Sequence, residues 1–215
     1  MFLTEVRHYN WTSPIILYRG SQRGISNPFS DTRLGFPTFS DVYGVSEGYG
    51  KVFRYRVKLN KPCILWEGAD SEVVIEPATL QQRLRYSDEE MLNIVRGEFH
   101  GFKWYSNEFR KSGAMMTDEE ILHTLHTPFE QIEAPITINA YPLAATSSIQ
   151  QKAVALGYDG FILRGPYTGD MGTNAIPEDG NTSWDGITAL EWMVFKPSCV
   201  KLIGEVTAAA EEKGP

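Results

Sequence analysis

The chain has 215 residues, 42% of them hydrophobic and 22% charged, with a formal net charge of −7. That length supports one sizeable core, so a single domain over residues 1–215 is the expectation. The acidic balance argues against bulk nucleic-acid binding, which needs a basic face, and no run approaches about 18 apolar residues, so neither a signal peptide nor a membrane span is expected and the cytoplasm is the expected location.

Pro14-Ile-Ile-Leu-Tyr18 reads as a buried strand that ends in Arg19-Gly20. Residues 21–34, rich in Ser, Gly, Asn, Asp and Arg, read as a loop. Thr38 to Ser40 ends a second strand and carries two hydroxyl residues. Asp41 can cap a short helix running toward Tyr49, though Gly44, Gly48 and Gly50 weaken it. Val52 to Leu59 alternates apolar and basic residues, the pattern of a half-exposed strand. Arg19, Arg23, Arg33, Arg54 and Arg56 give this first third of the chain most of its positive character. Asn60-Lys61-Pro62 then turns the chain into Cys63-Ile-Leu-Trp66. Cys63 and Cys199, the two cysteines, both lie in strand-like text and lack zinc spacing, so two free, buried thiols are expected.

The middle has a different character. Ala78 to Arg85 reads as a short helix. Ser87-Asp-Glu-Glu90 and Thr117-Asp-Glu-Glu120, each before an apolar run, are capping boxes that open two more. Residues 67–134 are therefore expected to form a mostly helical insertion, with an aromatic patch at Phe99, Phe102, Trp104, Tyr105 and Phe109. His123 and His126 sit three apart with no third ligand in sight and read as surface histidines rather than a metal site.

The last third returns to alternating helix and strand. Ser147 to Leu156 reads as a helix closed by Gly157. Asp159-Gly160 turns into a strand at Phe161 to Arg164. The segment 165–188, about 24 residues holding five glycines, is long enough to read as functional. Leu190 to Phe195 and Val200 to Val206 are the last strands, and Ala208 to Pro215 is a terminal tail.

These elements order a cation, hydroxyls and an aromatic ring around one cleft. That combination suits a dinucleotide: charge for the diphosphate, hydroxyls for ribose, a ring for a flat heterocycle. Glu191 opens a strand that is otherwise apolar, directly after the long loop. A carboxylate there can stabilise the cation that develops on ribose when a nicotinamide–ribose bond breaks, the oxocarbenium logic of glycosidases. It can equally be a solvated strand-end residue. Arg19 can clamp a phosphate or form a structural ion pair. Thr38 and Ser40 can bond ribose or serve as ordinary strand residues, and Tyr49 can stack on nicotinamide or fill a core.

Taken in order, Tyr18-Arg19-Gly20, Thr38-Phe39-Ser40, Tyr49-Gly50, Leu59-Asn60-Lys61-Pro62, Leu156 to Gly160, Glu191-Trp192-Met193-Val194-Phe195 and Pro197 to Lys201 resemble the ADP-ribosyltransferase family in its compact bacterial and bacteriophage forms. The resemblance covers roughly residues 13–66 and 145–205. It implies an α+β domain built on a split, mostly antiparallel sheet, here carrying a helical insertion. It also implies an NAD-dependent mono-ADP-ribosyltransferase that uses NAD as co-substrate and modifies a protein, such as a phage effector acting on a host protein. By that resemblance Glu191 is the catalytic glutamate and Arg19 contacts the NAD ribose or phosphate. Tyr18, Gly20, Thr38 and Ser40 line the site, Tyr49 stacks on nicotinamide, and 165–188 recognises the target. No metal is needed. Two departures stand out: Ala189 occupies the position where arginine-modifying relatives carry Glu, and Thr38 replaces the more usual Ser or Tyr. An NAD glycohydrolase, an RNA 2′-phosphotransferase and a catalytically inactive binding module remain the alternatives, the net charge weighing against the second.

Overall fold

Strand β1 (Ile15–Ser21) and strand β3 (Lys51–Val57) form the longest ladder among the described residues, pairing antiparallel from Ile15↔Val57 to Ser21↔Lys51. In β3 the alternation expected from sequence holds from Phe53 to Val57, with Phe53, Tyr55 and Val57 buried and Arg54 and Arg56 exposed; Val52 departs from it, being buried beside Phe53. The computed structural model describes residues 13–30, 32, 35–41, 43–65, 74–75, 77–95, 116–127, 131, 138–139, 143–164 and 190–206. The chain forms two compact units, one of residues 1–64 with 157–215 and the other of residues 65–156.

The first unit is a seven-stranded sheet. Its further strands are β2 (Thr38–Ser40), β4 (Pro62–Ile64), β7 (Gly160–Arg164), β8 (Leu190–Val194) and β9 (Val200–Glu205). The strands run in the order β4-β7-β8-β2-β1-β3-β9, with β4 and β7 parallel and every other neighbouring pair antiparallel. All five residues of β8 are buried, as befits an interior strand covered on both faces. Phe39 packs edge-on against Tyr55 at 5.2 Å, and Phe161 against Phe195 at 4.9 Å. Leu17, Phe39, Tyr55, Phe161 and Trp192 are all essentially inaccessible to solvent, and each such side chain contributes about 1.5–3 kcal/mol by leaving water. One short helix, α1 (Tyr43–Glu47), joins β2 to β3.

The second unit carries helices α2 (Pro77–Leu84), α3 (Asp88–Val95), α4 (Asp118–His126) and α5 (Ser147–Ala155) beside a two-stranded antiparallel ribbon, β5 (Val74–Ile75) with β6 (Ile138–Asn139). Both expected capping boxes are present. Ser87 N–H donates to Glu90 Oε2 at 2.7 Å and Glu90 N–H to Ser87 Oγ at 3.2 Å. Thr117 and Glu120 repeat the pair at 2.7 and 3.2 Å, satisfying donors that the helix itself cannot. Lys152 Nζ reaches Glu90 Oε1 at 2.8 Å, tying α5 to α3 and holding the Glu90 carboxyl below its ordinary range. The unit extends past the 67–134 span of the expected insertion and takes in α5. The aromatic patch at Phe99, Phe102, Trp104, Tyr105 and Phe109 lies outside the described residues, as does the segment 165–188. Together the sheet and the helices make an α+β protein.

Asp159 is the polar pin of the first unit. Its carboxylate, 3% exposed, accepts from the Asn60 amide at 2.7 Å and the Lys61 amide at 3.1 Å. Its own amide donates to Lys61 O at 3.1 Å, and Phe195 N–H donates to its carbonyl at 2.9 Å. One residue thus holds the entry to β4, the start of β7 and the end of β8. Asp159→Ala should lower stability by about 1.5–3 kcal/mol, the size of bonds to a charged acceptor, with Asp159→Asn recovering part of the loss. Urea denaturation measures this, and a loss of Asp159→Ala below about 0.5 kcal/mol would contradict the assignment.

Candidate functional site

Three strands bring the chemistry-bearing residues into one row. Ser40 on β2 lies directly opposite Glu191 on β8 and, on its other side, directly opposite Tyr18 on β1. Residues opposed in this way project to the same face of the sheet. Thr38, two positions from Ser40 and opposite Met193, belongs to that face by strand alternation. The sheet therefore brings together Tyr18, Thr38, Ser40 and Glu191.

Glu191 is 5% exposed and Ser40 3%. Glu191 is flanked by Leu190 and Trp192 and faces Leu163 across β7, all buried. A carboxylate so far from water is costly unless its surroundings compensate it, and Glu191 is engaged by them. The solvated strand end considered from sequence is therefore not its situation.

What sets the register beside Glu191 is Asp41. Its Oδ1 accepts from the Leu190 amide at 2.9 Å, and its own amide donates to Leu190 O at 3.3 Å. The end of β2 is thus clamped to the residue before the glutamate. Asp41, expected from sequence to cap α1, has this further use, and its place directly after a strand is the local signal for it.

Arg19 follows Tyr18 on β1, so strand alternation sets it on the face opposite the row, the face of Leu17 and Tyr55, and the sheet does not bring it together with Glu191. Its guanidinium Nη1 donates to Thr38 O at 3.2 Å. Between β1 and β2 the paired register consists of Tyr18↔Ser40, so Arg19 bonds β2 through its side chain just beyond the paired residues. Its charge is also felt by Tyr55, whose hydroxyl donates to Ser26 O at 2.8 Å. Burial pushes the Tyr55 phenol up to about 12, the nearby Arg19 charge partly opposing the rise.

Gly20 is required by contact. A Cβ there would lie 2.0 Å from the Ser46 carbonyl oxygen and 2.7 Å from Tyr49 Cβ, so the end of β1 and the end of α1 touch only because this residue has no side chain. Tyr43 of α1 packs edge-on to Tyr18 at 5.7 Å. Tyr49 follows in the turn after α1, its amide bonded to Ser46 O at 3.1 Å, and the residue is 43% exposed. An exposed tyrosine beside Gly20 is a stacking surface. Ala189 lies outside the described residues.

The histidines sit elsewhere, on α4. His126 Nε2 lies 3.1 Å from Asp88 Oδ2, and both histidines are exposed. Among the described residues no group of three or more His, Cys, Asp or Glu is arranged to hold a metal ion, and no helix is long and apolar enough to cross a membrane. Cys63 and Cys199 are buried thiols that form no disulfide; burial and the charge of Asp159 push the Cys199 thiol up. Comparison with known protein families, curated proteins and solved structures gives no match.

Two measurements check this geometry. Gly20→Ala should cost about 1–3 kcal/mol as α1 is pushed off β1; an unchanged melting curve would mean that the close approach is not made. Tyr55 should titrate late: its folded pKa is raised above the ordinary 10.0, so its contribution to stability is full below pH 10 and is lost as pH climbs toward 12. Ultraviolet titration against Tyr55→Phe should show the missing tyrosinate only near the upper limit, and its appearance near pH 10 would contradict the burial argument.

Proposed function

We propose that the protein is an NAD-dependent mono-ADP-ribosyltransferase that transfers ADP-ribose from NAD to a protein. The observation that carries this reading is the buried carboxylate of Glu191 on an apolar strand, in register with Ser40. The resemblance of the ordered segments from Tyr18 to Lys201 adds to it.

In this reading NAD is a substrate. The bond between nicotinamide nitrogen and ribose C1′ breaks, its electron pair leaving with nicotinamide as a neutral base. Positive charge then spreads over C1′ and the ring oxygen. Glu191 stabilises that charge more in the transition state than in the ground state, where catalytic stabilisation counts. Ser40 and Thr38 orient the ribose or the carboxylate. The resemblance assigns Arg19 to the ribose or phosphate; from the other face of β1 its guanidinium holds Thr38 O and so keeps β2 beside β1. The exposed Tyr49 stacks on nicotinamide. An acceptor nucleophile on the target protein attacks C1′ and loses its proton. With alanine at 189 the chain lacks the carboxylate that arginine-modifying relatives carry there, which leaves the acceptor residue open.

Labelled NAD incubated with the purified protein and a bacterial lysate tests the reading. Transfer should label a protein band, and Glu191→Gln should reduce the rate about 10²–10³-fold while keeping a cooperative melting transition. Free ADP-ribose without a labelled band would replace transfer with hydrolysis. No nicotinamide release in any lysate would end the enzymatic reading.

A further inference from the structure

The far half of the sheet, β1-β3-β9, carries a cluster of positive charge that the proposed transfer chemistry does not use. Arg54 and Arg56 point away from the core on alternate positions of β3, both exposed, and Lys58, also exposed, continues the alternation one residue past the strand. Lys201 of β9, exposed too, lies directly opposite Arg56. On the other side Arg56 faces Ile16, which is 41% exposed, and Arg54 faces Tyr18.

None of the residues directly opposite these cations is acidic. Arg56 and Lys201 form a like-charge cross-strand pair, an arrangement that destabilises a sheet. The cost is borne in a chain whose overall charge is −7, so acidic residues were plentiful and are placed elsewhere. Lys51, on the same strand, does have a carboxylate partner, Glu205 at 3.3 Å.

We infer that this face docks a short acidic peptide segment in extended conformation, one with carboxylates on alternate residues. The repeat matches: successive cations along β3 are two residues apart, about 6.6–6.8 Å, and alternate side chains of an extended peptide share that spacing. Ile16 supplies an aliphatic floor. A single-stranded nucleic acid fits less well, because it needs rows of open rings for stacking, and Tyr18 on this face already packs edge-on to Tyr43. Local charge governs the encounter, since exposed charges are screened beyond about 8 Å at physiological salt; the chain's negative total does not forbid a short acidic segment.

Fluorescence anisotropy with a fluorescein-labelled peptide of alternating glutamate and valine, titrated with the full chain, tests the inference. Binding should saturate, weaken as salt rises, and fall about tenfold or more in the Arg54→Glu/Arg56→Glu double variant. Lys196→Glu, which reverses another exposed cation, should leave affinity within about twofold. Arg56→Glu sets an acid opposite Lys201, so the single variant should melt no lower than the parent; that readout separates lost docking from lost folding. Three results would overturn the inference. They are equal affinity of the parent and the double variant, no binding at millimolar peptide, or tighter binding of a labelled oligouridylate, which would give the face to nucleic acid.

Discussion

The antiparallel register that sets Glu191 opposite Ser40, and Ser40 opposite Tyr18, is the constraint on which the rest of the site depends. A strand shifted by one residue turns every side chain to the other face. Slippage of β8 by one position would exchange Glu191 for Leu190 or Trp192 at the row and carry the carboxylate away from the hydroxyls. Two backbone-directed contacts guard against it. Asp41 clamps the residue before Glu191, and Asp159 fixes the far end of β8 through Phe195. Asp41 holds the Leu190 amide through its carboxylate, whereas Asp159 holds the Phe195 amide through its backbone carbonyl and spends its carboxylate on the amides of Asn60 and Lys61.

Much of this arrangement was legible in the sequence because the signals were local. The alternation in β3, the two capping boxes and the apolar run after Glu191 depend on neighbours within a few residues. Helix ends could be read closely: Gly157, expected to close the helix from Ser147, has φ of 82° directly after it. The residues of the row were named from sequence one by one, but their meeting was not derivable from composition or spacing. It depends on β2 entering between β1 and β8, a pairing across about 150 residues of chain. The clamp made by Asp41 was hidden for the same reason: its partner, Leu190, is distant in sequence. The close approach at Gly20 was invisible too, because a glycine after a strand reads as a turn until a helix is seen pressed against it.

The electrostatics divide along the sheet. Toward β8 the Glu191 carboxylate is taken out of water between buried neighbours, Leu190, Trp192 and Leu163. Toward β9 a group of cations stands in solvent without acidic residues opposite. A net charge describes neither end. The buried end suits chemistry in which a cation develops and must be met by a fixed negative charge. The exposed end suits recognition, where charge complementarity sets encounter rate and partner choice more than tight affinity.

Backbone amide NMR on the isotopically labelled chain, titrated with NAD, would test the central claim most directly. If the row across β1, β2 and β8 is a dinucleotide site, the amides of Gly20, Ser40, Tyr49 and Glu191 should shift together and saturate along one binding curve. Shifts confined to residues 77–126, or no shifts at millimolar NAD, would contradict the account.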